Sequence, residues 1–245
     1  MQGAFVPPRQ GSGVSFVAWT AAATVLAFAI RAFRLDAAPA WYDEQTSYLY
    51  TLEPWTRLFG ELAAMDVHPP LYYALLKGWS LIAGDSLYAL RMLSVLLGTA
   101  CVPLLAVLGR LLVSNRVGVV SAFLLTTAPL HVYQSRELRM YSLLNLSILV
   151  ALVSLVYALQ TREQAKRLAW VGWAGACTVA FYAHNTAVFL PALASVFVAF
   201  LWWRGQVDRA WVLRFAVASA VIVLAAIPWI GALAHHVSDT LTHFW

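Results

Sequence analysis

The feature that most constrains this chain is the recurrence of long, nearly uncharged runs. Seven stretches, at about 14–33, 87–112, 117–132, 140–160, 168–183, 186–203 and 211–233, are mostly apolar. A helix needs roughly 20 apolar residues to cross about 30 Å of hydrocarbon, whereas barrel strands are short and alternate. Backbone groups in lipid must be bonded within the segment, so these runs read as helices. Composition agrees, with 62% hydrophobic and 11% charged residues and a mean hydropathy of +0.73. That balance excludes an ordinary soluble domain. The expected fold class is an all-α polytopic membrane protein, a single transmembrane domain over residues 1–245 with about seven spans. The first run is too long, and the positive charge ahead of it too weak, for a cleaved signal peptide.

One long polar insertion, about 34–86, interrupts the pattern. Pro39, Pro54, Gly60, Pro69 and Pro70 divide it, and amphipathic pieces such as "YALLKGWSLIAG" suit short helices lying at the interface. Cys101 and Cys177 fall inside apolar runs, which favours packing over a disulfide or metal role. The net charge of +5 comes from scattered basic residues with no aromatic-interleaved stripe, so nucleic acid is not an expected partner. Those residues act instead as topology signals. With the N-terminus inside, the inner turns hold Arg110, Arg116, Arg162, Lys166, Arg167, Arg204, Arg209 and Arg214, against Arg136 and Arg139 outside. Arg31 and Arg34 oppose this assignment, but the later loops outvote them. All six histidines (His68, His131, His184, His235, His236, His243), and every acidic residue except Glu163 and Asp208, then fall on the outer side. The expected location is the plasma (inner) membrane, N-terminus cytoplasmic, with the reactive groups facing out.

Four segments could carry chemistry. In "WYDEQTSYLY", Asp43 and Glu44 could supply a general base tuned by burial and by its neighbour; an interfacial turn with solvated charges is the equal alternative. In "MDVHPPLYYALLKGW", His68 is held extended by Pro69 and could bind phosphate or a metal with Asp66, although a helix-start device explains it as well. In "PLHVYQSRELRMYSL", Arg136 and Arg139 lie three apart, and Glu137 and Tyr141 four apart, at an outer boundary together with His131. Arginine suits phosphate or carboxylate, while mutual neutralisation of Arg and Glu is the bland reading. His184 and Asn185 in "FYAHNTAVF" fill a short outer turn, where a structural histidine is the commoner case. The terminal histidines lack zinc-motif spacing. Together the segments place acids, cations and aromatics on one side of the membrane, a composition suited to a phosphate-linked substrate.

The ordered set "WYDE", "HPPLYYALLKGW", "ALRMLSVLLG" and "VYQSRELRMYSLL" resembles the N-terminal half of the GT-C glycosyltransferases of family 39. That group includes Rgt-like transferases, the lipid A aminoarabinose transferase and protein O-mannosyltransferases. The resemblance runs from about 14 to 233 and implies a GT-C-type helix bundle with a long first outer loop. It implies that Asp43 is the catalytic acidic residue with Glu44 beside it, and that the proline motif lies near the donor phosphate. His68 stands here where the aminoarabinose transferase has lysine. Arg136, Glu137, Arg139 and Tyr141 match the second outer loop of the Rgt-like pattern. Family members are longer, so the resemblance also implies a second half or a partner subunit.

The function expected is transfer of a sugar from a polyprenyl-phosphate donor to an acceptor at the outer face, by inversion. Asp43 would take the acceptor proton, and His68, Arg136 and Arg139 would stabilise the leaving phosphate. The cofactor is not fixed by sequence; a divalent cation held by Asp43, Glu44, Asp66 and His68 is one candidate. The partners are the lipid-linked sugar and the bilayer, with the acceptor open. Two alternatives stand beside this reading: a non-catalytic membrane subunit or lipid-binding scaffold, and a transporter for lipid-linked sugars. The transporter would place ionisable groups deep in the spans, where few occur.

Overall fold

The computed structural model describes residues 13–62, 66–160 and 163–243, except for the side chains of 13, 14, 62, 163–166 and 235–243. Arg162 therefore lies outside the described residues, as do the side chains of Lys166, Glu163, His235, His236 and His243. Helix α1 spans Gly13–Ala32 and carries Arg31 in its last turn, where a cation complements the helix dipole. It stops at Arg34, which adopts a left-handed φ of 47°. Arg136 covers the carbonyls this ending frees, donating to Ile30 O at 3.2 Å and Arg34 O at 3.0 Å.

The first loop folds into short helices: α2 (Tyr42–Leu52), α3 (Trp55–Arg57), which continues as a wide π turn over Leu58–Leu62, and α4 (Leu71–Ala83). Gly84 ends α4 at φ 89°, the conformation glycine adopts without a Cβ penalty. These helices do not float in solvent. Leu58, Tyr72, Tyr73 and Leu76 are buried against Leu90, Leu93, Leu138, Met140, Leu143 and Ala183 at the ends of longer helices.

Helix α5 (Leu87–Leu112) is the central element, capped by Ser86, whose hydroxyl accepts from Ala89 N. At 26 residues it is about 39 Å long. It packs on α1, on α6 (Asn115–Thr127) and on α8 (Tyr141–Gln160). Small residues permit the closest approach: a Cβ on Gly118 would collide with Ala106 O, and one on Gly109 would lie 3.0 Å from Gly118 Cα. Helix α9 (Glu163–Ala183) packs along α8, and α11 (Arg209–His243) packs along α9 through Trp170, Trp173, Trp211 and Phe215. A 3-10 turn over Asn185–Val188 leads into α10 (Phe189–Trp203).

Among the described residues five helices are long and apolar enough to cross a membrane: Ser15–Ala32, Leu87–Leu112, Tyr141–Gln160, Asn185–Trp203 and Arg209–Ala234. The expected run 117–132 is not one of them. Ala128 precedes Pro129 and is extended (ψ 114°), so α6 ends at Thr127 and a separate short helix, α7 (Pro129–Gln134), begins. The expected run 168–183 is part of α9, which is long enough, but its glycines, tryptophans and Arg167 dilute its apolar character. The chain is a multi-pass membrane protein.

Candidate functional site

The site lies where the first loop meets the segment between α7 and α8 and the turn between α9 and α10. Its base is a buried ion pair. Glu44, third residue of α2 and inaccessible to solvent, receives Arg91 Nε at 2.8 Å on Oε1 and Arg91 Nη2 at 2.6 Å on Oε2. Leu138 N donates to the same Oε1 at 2.8 Å, and Trp41 N reaches Oε2 at 3.3 Å. The remaining guanidinium donors of Arg91 go to the carbonyls of Leu35, Ala38 and Pro39. Glu44 thus fastens the start of α2 to α5 and to the Leu138 backbone. Every oxygen it has is engaged, which leaves no free carboxylate for the reacting role expected of it.

Asp43, one residue earlier, faces the other way. It sits in the first turn of α2, where the helix dipole favours an anion, with its side chain about a third exposed. Its Oδ2 lies 3.5 Å from Arg139 Nη2. Arg139 itself is 4% exposed, and its Nε has no hydrogen-bond partner. Burial raises Glu137, the Tyr133 hydrogen bond opposes this, and the nearby Glu44 charge adds to it; the net shift is upward. Glu137 Oε1 is also buried without a partner. Arg136 belongs elsewhere, on the α1 carbonyls.

The His-Pro-Pro segment closes the other side. Asp66 Oδ1 accepts from His68 N at 2.9 Å and lies 3.0 Å from His68 Nδ1. Burial pushes the Asp66 carboxyl up, but the His68 side-chain and backbone hydrogen bonds outweigh it and hold the group below its ordinary value. Tyr50 is pushed up to about 12, first by burial and then by the Asp66 charge. Tyr73, edge-on to Tyr50 at 4.8 Å, has a buried hydroxyl without a partner. The His68 ring lies 5.7 Å from that of His184, which lies 6.2 Å from Tyr141. Asn185 anchors this contact, donating to Val67 O at 2.7 Å and accepting from Trp229 Nε1 at 2.7 Å.

Asp43, Asp66, His68, Arg139, Tyr141 and His184 therefore occupy one neighbourhood. Glu44 and Glu137 lie beneath it. His131 stands apart, its Nδ1 2.9 Å from Arg31 Nη2 in a knot where Arg31 also donates to the Leu125 and Thr126 carbonyls at the end of α6. The candidate cation set Asp43, Glu44, Asp66 and His68 does not fit a metal. Arg91 takes Glu44, Arg139 faces Asp43, and Asp66 holds His68; no three His, Cys, Asp or Glu among the described residues gather as ligands.

Sequence reasoning passed over Arg91, Tyr50, Tyr73 and the Asn185–Trp229 anchor. Arg91 left a legible mark, a lone cation within the apolar run "ALRMLSVLLG", a position costly enough to imply a partner.

No curated protein matches the chain. Among solved structures, it superposes with a TM-score of 0.64 and 18% identity on a chain of the S. cerevisiae protein O-mannosyltransferase Pmt1-Pmt2 complex bound to the sugar donor. The match covers 96% of this chain and 34% of that one, so the chain spans about a third of its length. The likeness shows a common fold, that of the GT-C membrane bundle. A model of the dolichyl-phosphate-mannose-protein mannosyltransferase family matches residues 67–231, from the His-Pro-Pro segment to α11. With two thirds of its length accounted for in this way, the chain belongs to the dolichyl-phosphate-mannose-protein mannosyltransferase family.

Proposed function

We propose that this protein transfers a sugar from a polyprenyl-phosphate donor to an acceptor at the outer face of a plasma membrane, with inversion. The observation that carries the reading is the Asp43–Arg139 pair: a partly exposed carboxylate 3.5 Å from a nearly buried guanidinium that keeps an unused donor. Asp43 takes the acceptor proton, the acceptor oxygen bonds to the anomeric carbon, and the bond from that carbon to the phosphate oxygen breaks, its electron pair leaving with the lipid phosphate. Arg139 stabilises the charge that develops on that phosphate. Arg136 has no part in this, since it serves the end of α1. Glu44 and Arg91 position the two loops and touch no substrate.

Seven crossings complete the scheme. The two added to the five long spans are α9 and α6 with α7; α9 is supported by the contacts near its two ends, Gln160 with Leu111 before it and Asn185 with Val67 after it. The arginine-rich end faces the cytoplasm and the site faces out. The donor's lipid tail lies among the spans, in the bilayer.

The test follows sugar release from a polyprenyl-phosphate donor by the protein in membranes, with donor binding measured separately. Asp43→Asn should lower transfer about a hundredfold or more while weakening binding far less. Undiminished turnover would remove Asp43 as the base. Wild-type donor binding without transfer would favour a lipid-binding scaffold.

A further inference from the structure

Two imidazoles at the site are held in opposite tautomers by their neighbours. His68 Nδ1 lies 3.0 Å from Asp66 Oδ1. An ionised carboxylate only accepts, so this nitrogen carries the proton and Nε2 of a neutral ring is left with a lone pair. His184 is the reverse. It precedes the 3-10 turn, and its Nδ1 accepts from Thr186 N at 3.2 Å. A backbone N–H only donates, so the proton of neutral His184 is on Nε2. Burial, followed by the nearby His68 and Arg139, holds His184 below its ordinary value and thus neutral at pH 7.

Among the described residues neither Nε2 makes a hydrogen bond within the protein, and both side chains are partly accessible. The ring centres are 5.7 Å apart. Rings at that spacing are close enough for a single oxygen to lie about 2.9 Å from a nitrogen of each. A dianionic phosphate could accept from His184 but would meet the His68 lone pair unfavourably, and an ammonium would meet the reverse problem. A hydroxyl donates and accepts at once. Tyr141, 6.2 Å from His184, supplies the aromatic wall that a sugar ring favours.

We propose that His68 and His184 form a subsite for one hydroxyl of the transferred sugar, His68 Nε2 accepting from it and His184 Nε2–H donating to it. This inference rests on the glycosyl-transfer reading. It assigns His184 a substrate contact, and it gives Asp66 the job of fixing the His68 tautomer.

Two measurements test it. Nitrogen-15 NMR of histidine-labelled protein in lipid nanodiscs, assigned with His68→Gln and His184→Gln, should find the neutral His68 protonated at Nδ1 and His184 at Nε2. The opposite tautomer at either ring would overturn the proposal. In the second, polyprenyl-phosphate mannose is compared with analogues that each lack one sugar hydroxyl. One analogue should bind wild-type protein about tenfold to a hundredfold more weakly, the cost of leaving site groups unpaired. That penalty should vanish in His68→Ala and His184→Ala and partly return in His184→Gln, which keeps an N–H near the Nε2 position. If the parent donor binds and every penalty is unchanged by these substitutions, the subsite is wrong while the transfer reading stands. If the parent donor does not bind at all, both fall.

Discussion

Glu44 and Arg91, 47 residues apart, meet through two parallel hydrogen bonds of 2.6 and 2.8 Å inside the protein, with the carboxylate wholly buried. Removing one partner of such a pair strands the other charge away from water, which typically costs about 3 to 5 kcal/mol. Glu44→Gln and Arg91→Met should each lower the unfolding free energy in detergent by that order, and the double variant should cost clearly less than their sum. Strict additivity would show that the two act independently. Loss of activity in Glu44→Gln should accompany loss of folded protein, unlike the loss in Asp43→Asn.

The outward neighbour of that pair has a different signature. Arg139→Gln removes the guanidinium facing Asp43, and donor affinity should fall by about tenfold or more, with the fold retained as judged by an unchanged elution profile. Arg136→Gln should leave donor affinity untouched and instead loosen the end of α1. Equal effects of the two on binding would undo the assignment of Arg136 to the α1 carbonyls.

Helix crossing depends on glycine at one place above others. Gly118→Ala pushes a methyl group into Ala106 O, so α5 and α6 must separate; about 1 to 3 kcal/mol should be lost. Gly175→Ala, with open space around its Cβ, serves as the control and should be near neutral. Similar unfolding temperatures for both would refute the close contact.

Acid should loosen the contact between the His-Pro-Pro segment and the α9–α10 turn. The folded state holds His184 below 6.5 first through burial and then through the facing His68 and Arg139, with Tyr141 alongside. A depressed folded value means the unfolded chain binds the proton more readily, so stability is full above pH 6.5 and declines as pH falls toward the folded value. Asp66, also depressed, adds a second decline of the same sign below its ordinary 3.8. Thermal unfolding followed by circular dichroism across pH reads this dependence. The unfolding midpoint should decline as pH falls below 6.5 in the wild type and stay flatter in His184→Asn; a flat wild-type profile would contradict the shift.

Orientation is checked by labelling. A cysteine at the exposed Glu61 should react with a membrane-impermeant reagent in intact cells, and one at Arg204 should react only after lysis. Reversed labelling would overturn the outward placement of the site.

Sequence periodicity revealed the long helices because hydropathy over some twenty residues outweighs local propensity, as in Leu87–Leu112 and Tyr141–Gln160. It failed at Ala128, where a single proline ends α6, although "APL" was there to be read. Asp43, His68 and Arg139 were visible as polar residues in an apolar chain. That Asp43 and Glu44 face opposite ways was not. Adjacent helical residues diverge by about 100°, and only the position of Arg91 decides which carboxylate is drawn inward. The arginines show the same limit: Arg136 and Arg139 look alike in "SRELR", yet one caps a helix and the other faces the site. The partner of each is set by long-range packing, which local sequence does not encode.

The Leu138 amide that ends on Glu44 has a mechanical consequence. It couples the backbone between α7 and α8 to the helix bearing Asp43, and through the same carboxylate to Arg91 of α5, so one side chain ties three parts of the chain together. The seam along His68 and His184 has no such buried clasp: a ring contact and the Asn185–Val67 bond join it, so the loop is tied firmly on its Asp43 side and lightly on its His68 side.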